Sequence, residues 1–338
     1  MPATLSLALA ASVLLATPAV AHLQAADEPA PTSWSVRPVA EAASGAARAA
    51  LEYQLAAGDT VSDAIVVENL APEPLTLSVY GQDAMLTVDG KFAAQPAATQ
   101  AEELGAWIAF EEAQITIDGG GDAEVWFTLT VPLHATPGDY AGAVLASAQW
   151  LDEDDPGVVL DARVGTRVHL RVPGEVAPAL EISEVRVRPD APWWSPGPRD
   201  VLVDFTVTNT GNVRLDTSAH GSLSMVLGPG RTAPAGPIPE LLPGSAVRLT
   251  ADPTDDHPDG LVFSSVLPLG YGRVAVEIAE ASVPGAEGVS VDPVSATVAY
   301  WDVPWLWIAA LVLIVVLVLR RRYRRARDAA PSAAAVIR

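Results

Sequence analysis

Apolar and polar residues alternate with a period of two along most of the chain, which is the signature of strands half-buried in a sheet. Leu75, Leu77 and Val79 alternate with Thr76, Ser78 and Tyr80. Val125, Phe127, Leu129 and Val131 alternate with Trp126, Thr128 and Thr130. Val164, Thr166, Val168, Leu170 and Val172 alternate with Arg163, Gly165, Arg167, His169 and Arg171. The pattern returns at Val201, Val203, Phe205 and Val207, at Val274, Val276 and Ile278, and at Val294, Ala296 and Val298. Between these runs stands turn chemistry. Asp89-Gly90 separates Leu86-Thr87-Val88 from Lys91-Phe92, a strong hairpin signal. Asp118-Gly119-Gly120-Gly121 and Asn209-Thr210-Gly211-Asn212 punctuate two further places. Many short strands at this spacing predict β-sandwiches.

Pro173-Gly174-Glu175 closes one strand, and Pro178 precedes a new start at Leu180-Glu181-Ile182. The spacing predicts two tandem immunoglobulin-like β-sandwiches, over 34–175 and 178–300, each long enough to bury a core without disulfides. The halves read as a weak repeat. Val67-Glu68-Asn69 resembles Val207-Thr208-Asn209, and Gly58-Asp59-Thr60-Val61 resembles Gly244-Ser245-Ala246-Val247.

Two segments break the strand pattern. Residues 4–20 are small and apolar and end in Ala19-Val20-Ala21, which predicts an export signal over 1–21. Residues 303–319 carry no charge and would span about 25 Å as a helix, against roughly 30 Å of hydrocarbon. Trp301, Trp305 and Trp307 sit at one end of this run and an arginine cluster follows the other. The pattern predicts a single transmembrane α-helix over 303–319 and a basic cytoplasmic tail over 320–338. It predicts a single-pass protein of the cell membrane, with the N-terminus outside and the C-terminus cytoplasmic.

Composition narrows the chemistry. The chain has 338 residues, 41 acidic and 20 basic, for a formal net charge of -21, and it has no cysteine. Disulfide scaffolds, thiolate metal sites and cysteine nucleophiles are therefore excluded. So acidic a chain lacks the basic face that nucleic acid requires. Region 22–302 holds 13 basic residues against 40 acidic ones. No GxSxG, HExxH or phosphate-loop motif occurs, the five histidines are scattered, and the chain reads as a non-enzyme without a cofactor or metal. Asp252 to Gly260 partly resembles a calcium loop, but Val266 stands where the twelfth-position glutamate belongs. Asp152-Glu153-Asp154-Asp155 reads as a charged loop.

Against this acidity, one strand stands out. Arg163, Arg167, His169 and Arg171 are spaced by two or four residues and so share a sheet face. A guanidinium row of this kind suits an anionic polymer such as wall teichoic acid or the carboxylates of peptide stems. Pairing with acidic side chains on neighbouring strands is the structural alternative. Trp107 and Tyr140 are candidate platforms for a sugar ring.

Several motifs occur in a telling order: Trp34-Ser35-Val36-Arg37-Pro38, Leu51-Glu52-Tyr53-Gln54-Leu55, Gly58, Asp63 and Val67-Glu68-Asn69. They are followed by Trp107-Ile108, Thr136-Pro137-Gly138-Asp139-Tyr140-Ala141-Gly142 and Gly165-Thr166-Arg167-Val168-His169-Leu170-Arg171-Val172. This order resembles the N-terminal domain of the WxL-interacting protein family of Gram-positive bacteria, over residues 34–175. The resemblance implies a cell-surface protein whose first domain binds peptidoglycan and whose second contacts other surface proteins or host ligands. The second half departs from the family's usual second domain, and no LPxTG sequence precedes the apolar run. The expectation is a membrane-anchored binding or scaffold protein engaging peptidoglycan or an anionic wall polymer. The alternative is an accessory subunit of another membrane protein complex.

Overall fold

The computed structural model describes residues 33–40, 45–87, 89–151, 159–192, 194–195, 197–252, 259–286, 288–303 and 305–328. The export signal over 1–21, the acidic run 152–155 and most of the calcium-like loop (253–258) lie outside the described residues.

Strands dominate, as the alternation predicts. The first ten are β1 (Trp34–Pro38), β2 (Leu51–Gln54), β3 (Thr60–Asn69), β4 (Leu75–Leu86), β5 (Phe92–Ala94), β6 (Ile108–Phe110), β7 (Gln114–Ile117), β8 (Asp122–Thr130), β9 (Gly138–Leu151) and β10 (Val159–Val172). They form two sheets. One has the order β1-β3-β8-β6, and the other has the order β2-β10-β9-β4, with β5 and β7 both paired to β4. β2 runs parallel to β10, while the other pairs are antiparallel. The apolar members of each alternation point between the sheets. Ile65, Val67, Leu77, Phe127, Leu129, Val168 and Leu170 meet there and are almost wholly buried. Burying each of these side chains stabilises the fold by about 1.5–3 kcal/mol.

The next nine strands are β11 (Leu180–Pro189), β12 (Arg199–Asn209), β13 (Leu215–Met225), β14 (Arg231–Leu241), β15 (Ala246–Leu249), β16 (Leu261–Val266), β17 (Gly270–Ile278), β18 (Ala281–Ser282) and β19 (Val294–Asp302). One sheet is β11-β12 with β15 and β16 both on β12; the other is β14-β13-β17-β19, with β18 beside β13. Val203, Phe205, Val207, Leu215, Leu223, Phe263 and Val276 fill a second, separate core.

The two halves share one topology. The order β1-β3-β8 corresponds to β11-β12-β15, and β7-β4-β9-β10 corresponds to β14-β13-β17-β19. The asparagine repeat falls at matching places. Asn69 ends β3, and its Nδ2 donates to the carbonyls of Glu73, Ile117 and Asp118 at 2.8, 3.1 and 3.2 Å. Asn209 ends β12, and its Nδ2 donates to the carbonyls of Val213 and Leu241 at 2.7 and 2.9 Å. Both side chains are fully buried. The glycine repeat does not match. Gly58 leads into β3, but Gly244 leads into β15, the counterpart of β8. Both take positive φ, a property that any tight entry to a strand can require.

The Asp89-Gly90 hairpin forms between β4 and β5, closed by the Thr87 N–H to the Lys91 carbonyl at 2.8 Å. The two Gly- and Asn-rich segments connect strands in different sheets, so they are crossovers and not hairpins.

The expectation of a transmembrane segment does not survive. The helix α1 (Trp305–Asp328) begins two residues after the apolar run does, and Arg320, Arg321 and Arg322 continue it. Its uncharged part, Trp305 to Leu319, measures about 22 Å at roughly 1.5 Å per residue, well short of a ~30 Å hydrocarbon core. Among the described residues no helix is long and apolar enough to cross a membrane. This corrects the single-pass membrane location, the transmembrane helix over 303–319 and the separate cytoplasmic tail over 320–338.

Candidate functional site

β10 is central to its sheet, and its alternation sends Val168, Leu170 and Val172 into the core. The odd positions take the other face. Arg163, at the outer end, donates from Nη1 to the Gln95 carbonyl at 2.8 Å and lies 3.7 Å from Asp161. It thereby holds the segment that follows β5. Gln82 grips the same segment through the Pro96 and Thr99 carbonyls, at 3.2 and 2.9 Å.

Further along β10, the same face meets the second sandwich. Arg167 Nη1 donates to Glu240 Oε2 at 2.6 Å, and His169 Nε2 stands 2.8 Å from Glu240 Oε1. Arg214, just ahead of β13, reaches Glu240 at 3.8 Å and Glu52 of β2 at 3.3 Å. Phe92 completes the group: the Arg167 guanidinium lies 4.8 Å from its ring centre, and the His169 ring meets it edge-on at 6.0 Å. His169 is 8 % exposed, and its buried Nδ1 has no hydrogen-bond partner among the described residues.

Arg171 sits directly opposite Asp139 in the β9–β10 register. The two form a bidentate pair at 2.6 and 2.7 Å, which holds the guanidinium more firmly protonated than usual. Asp139 also accepts the backbone N–H of Arg214 at 2.8 Å, so one carboxylate ties both sandwiches. Asn212 does the same beside it, donating to the Pro137 and Glu175 carbonyls at 3.0 and 2.9 Å. Gly138, at φ 143°, passes so close that a β-carbon there would fall 2.4 Å from the Asn212 carbonyl oxygen. The Thr136-Pro137-Gly138-Asp139 motif thus builds the elbow between the halves.

Tyr140 and Trp107 also come together. Their rings lie 4.7 Å apart, with Trp107 packed against the first core. The Tyr140 hydroxyl is engaged by Thr136, through its backbone N–H, carbonyl and hydroxyl at 3.2, 3.1 and 2.8 Å. Two adjoining clefts flank this elbow. One, of about 210 Å³, is lined by Glu52, Asp139, Tyr140, His169, Arg171 and Arg214. The other, of about 290 Å³, is lined by Glu103, Thr136, Tyr140, Asn212, Leu242 and Pro243.

Of the residues expected to bind a ligand, Tyr140, His169 and Arg171 line the first cleft, and Arg167 stands at the Glu240 cluster beside it. Trp107 supports Tyr140 from behind, while Arg163 lies apart on the segment after β5. Each of the three arginines has an acidic side chain within ion-pair distance. Sequence reasoning did not find Glu240, Arg214 or Asn212. Only Asn212 carried a signal, as the end of the Asn209-Thr210-Gly211-Asn212 crossover.

The Glu240 cluster gives the elbow a pH dependence. Burial raises the Glu240 carboxyl, but the bond to His169 and the charges of His169, Arg167 and Arg214 outweigh it and hold the group below its ordinary value. A depressed carboxyl stabilises the fold fully above the unfolded value of about 4.5 and loses that contribution as pH falls through the folded one. Thermal unfolding of the wild type from pH 6 to about pH 3 is therefore expected to fall more steeply than that of Glu240→Gln. Parallel curves would show that Glu240 does not couple folding to protons.

No protein-family model matches the chain. No curated protein matches it either. Solved structures share its β-sandwich character at low similarity. A chain of a chaperone–tip adhesin complex of CFA/I fimbriae is 11 % identical with a TM-score of 0.38, covering 80 % of this chain and 99 % of that one. The class 5 fimbriae chaperone CfaA is 10 % identical with a TM-score of 0.34, over 80 % of this chain and 100 % of that one. A chain from the Salmonella enterica SafA pilin–SafB chaperone complex is 11 % identical with a TM-score of 0.32, over 79 % and 96 %. At these values no function and no site is carried from them to this chain.

Proposed function

We propose that this chain is a non-catalytic binding protein of the cell surface whose ligand is peptidoglycan or an anionic polymer attached to it. The observation that carries this reading is the outward face of β10. In a region with few cations, Arg167, His169 and Arg171 are gathered with Arg214 at the lip of an open cleft that Tyr140 also lines. Guanidinium groups in such a row match carboxylates or phosphates along a chain, and an aromatic ring beside them suits a sugar. The WxL-interacting resemblance of residues 34–175 supports the same ligand class. The protein is expected to cosediment with purified cell walls above the level of an unrelated acidic β-sandwich, and Arg167→Ala is expected to reduce the bound fraction several-fold. Equal sedimentation of the protein and that control would remove the reading. Calcium removal is expected to leave binding unchanged.

A second reading, a protein partner, has its own support at the far end of the second sandwich. Val226 and Leu227 follow β13, and Leu267 and Leu269 precede β17; they are 72, 62, 47 and 37 % exposed. The two loops touch, since Leu269 lies against Gly228. Exposed apolar groups gathered in this way mark contact surfaces. Crosslinking in cells from position 227 separates the readings: a dominant protein adduct favours the partner, and none favours the polymer.

A further inference from the structure

Glu240 is an outlier in its own strand. Its φ is 57°, a left-handed value that non-glycine residues rarely hold. The cause is a bulge: between the pairs Leu215–Leu241 and Thr217–Ile238 the register of β14 shifts. The Glu240 N–H then turns to the Asp216 carboxylate at 2.7 Å instead of a ladder carbonyl. Such a conformation is strained and persists only where its surroundings impose it. Here it aims one carboxylate across the elbow, into a cluster of cations from both sandwiches.

The cluster has more capacity than Glu240 uses. Arg167 is half exposed, at 51 % of its side chain, and is open to solvent above Phe92. Arg214 is 3.8 Å from Glu240 and closer to the more exposed Glu52, at 3.3 Å. His169 is more than nine-tenths buried, with Nδ1 unpartnered among the described residues. Of the nearby acidic groups, Asp139 is paired with Arg171 and accepts the Arg214 N–H, Glu52 faces Arg214, and Asp216 accepts the Glu240 N–H while keeping its charge.

We propose that Arg167, His169 and Arg214 form an anion site that the chain's own Glu240 occupies, so that the bulge carries an internal stand-in for an external carboxylate or phosphate. The wild-type site is thereby self-inhibited. A polyanion must displace Glu240, which removes one link across the elbow and leaves those made by Asp139 and Asn212. This proposal rests on the anionic-polymer reading and names the place where the polymer's charge is received. His169 Nε2 and the two guanidinium groups would donate to the incoming oxygens as they do to Glu240.

The test compares the full-length wild type with Glu240→Gln and Glu240→Gly, the latter because glycine accepts φ 57° without strain. Polyphosphate and poly-L-glutamate of matched length serve as the phosphate and carboxylate probes, titrated at low and moderate salt. Both variants are expected to bind at least one probe about tenfold more tightly than the wild type, which is a single charge-assisted hydrogen bond's worth. Tightening with one probe alone identifies phosphate or carboxylate as the source. Adding Arg167→Ala to either variant is expected to abolish the gain. If neither variant binds either probe more tightly, or if the gain survives Arg167→Ala, the proposal is overturned. Cell-wall sedimentation of the wild type is scored separately, so failure of the wall reading leaves this result standing, and the reverse.

Discussion

Asp302→Ala is expected to destabilise the second sandwich by about 3–5 kcal/mol, the usual cost of stranding one member of a buried ion pair. Asp302 is the last residue of β19, and its carboxylate lies 3.4 Å from Arg199 Nε at the start of β12. The side chains are 5 % and 1 % exposed. Asp302 also accepts the Tyr300 hydroxyl at 2.9 Å, and burial together with that bond holds the phenol well above its ordinary pKa. Without the carboxylate, the Arg199 guanidinium keeps, among the described residues, the Ser195 and Pro192 carbonyls, at 2.5 and 3.4 Å. The midpoint of the second sandwich's thermal transition should drop by more than about 8 °C. The double change Arg199→Met with Asp302→Leu should recover most of that loss, because two apolar groups of similar volume avoid the desolvation of both charges. A drop under about 1 kcal/mol for Asp302→Ala would show that water reaches the guanidinium.

Asn69→Ala and Asn209→Ala should each cost about 2–4 kcal/mol, in the first and second sandwich respectively. Each amide donates to carbonyls in the crossover that follows its strand and at the end of a strand across from it. Its oxygen also accepts a backbone N–H two residues on, from Ala71 at 3.0 Å and from Gly211 at 2.9 Å. Removing the side chain leaves buried acceptors without donors, and each such group costs about 1–3 kcal/mol. The two variants should unfold different halves first, as separate transitions in a calorimetric scan. Loss of the same transition in both would mean that the halves unfold as one unit and that the asparagines are not independent supports.

The strands and the Asp89-Gly90 hairpin were legible because each rests on neighbours in sequence. Val125, Phe127, Leu129 and Val131 must lie on one side of a strand whatever surrounds it. The asparagine repeat was legible for a similar reason, since the strand-ending Asn69 and Asn209 each bind within the crossover that follows, although Ile117, Asp118 and Leu241 come from farther along the chain. The glycine repeat misled because positive φ marks a turn without saying which strand follows. The apolar run 303–319 misled in a different way: composition measures its greasiness, but where the helix begins and where the arginines join it set its usable length. The anion cluster was half legible. Arg167, His169 and Arg171 share a face by period alone, while Glu240 comes from a bulge some seventy residues later that the local pattern does not announce.

By itself, the order of residues determined that this protein is built of strands with one face buried, that its outer charge is acidic, and that three arginines and a histidine share one face of β10. Those properties follow from the alternation of side chains and from counting charges, neither of which depends on distant contacts. The tertiary structure alone decided what the cations face. Asp139, Glu240 and Arg214 reach the elbow only because two sandwiches dock at it, and electrostatic pairing depends on separations of a few ångströms between groups far apart in the chain.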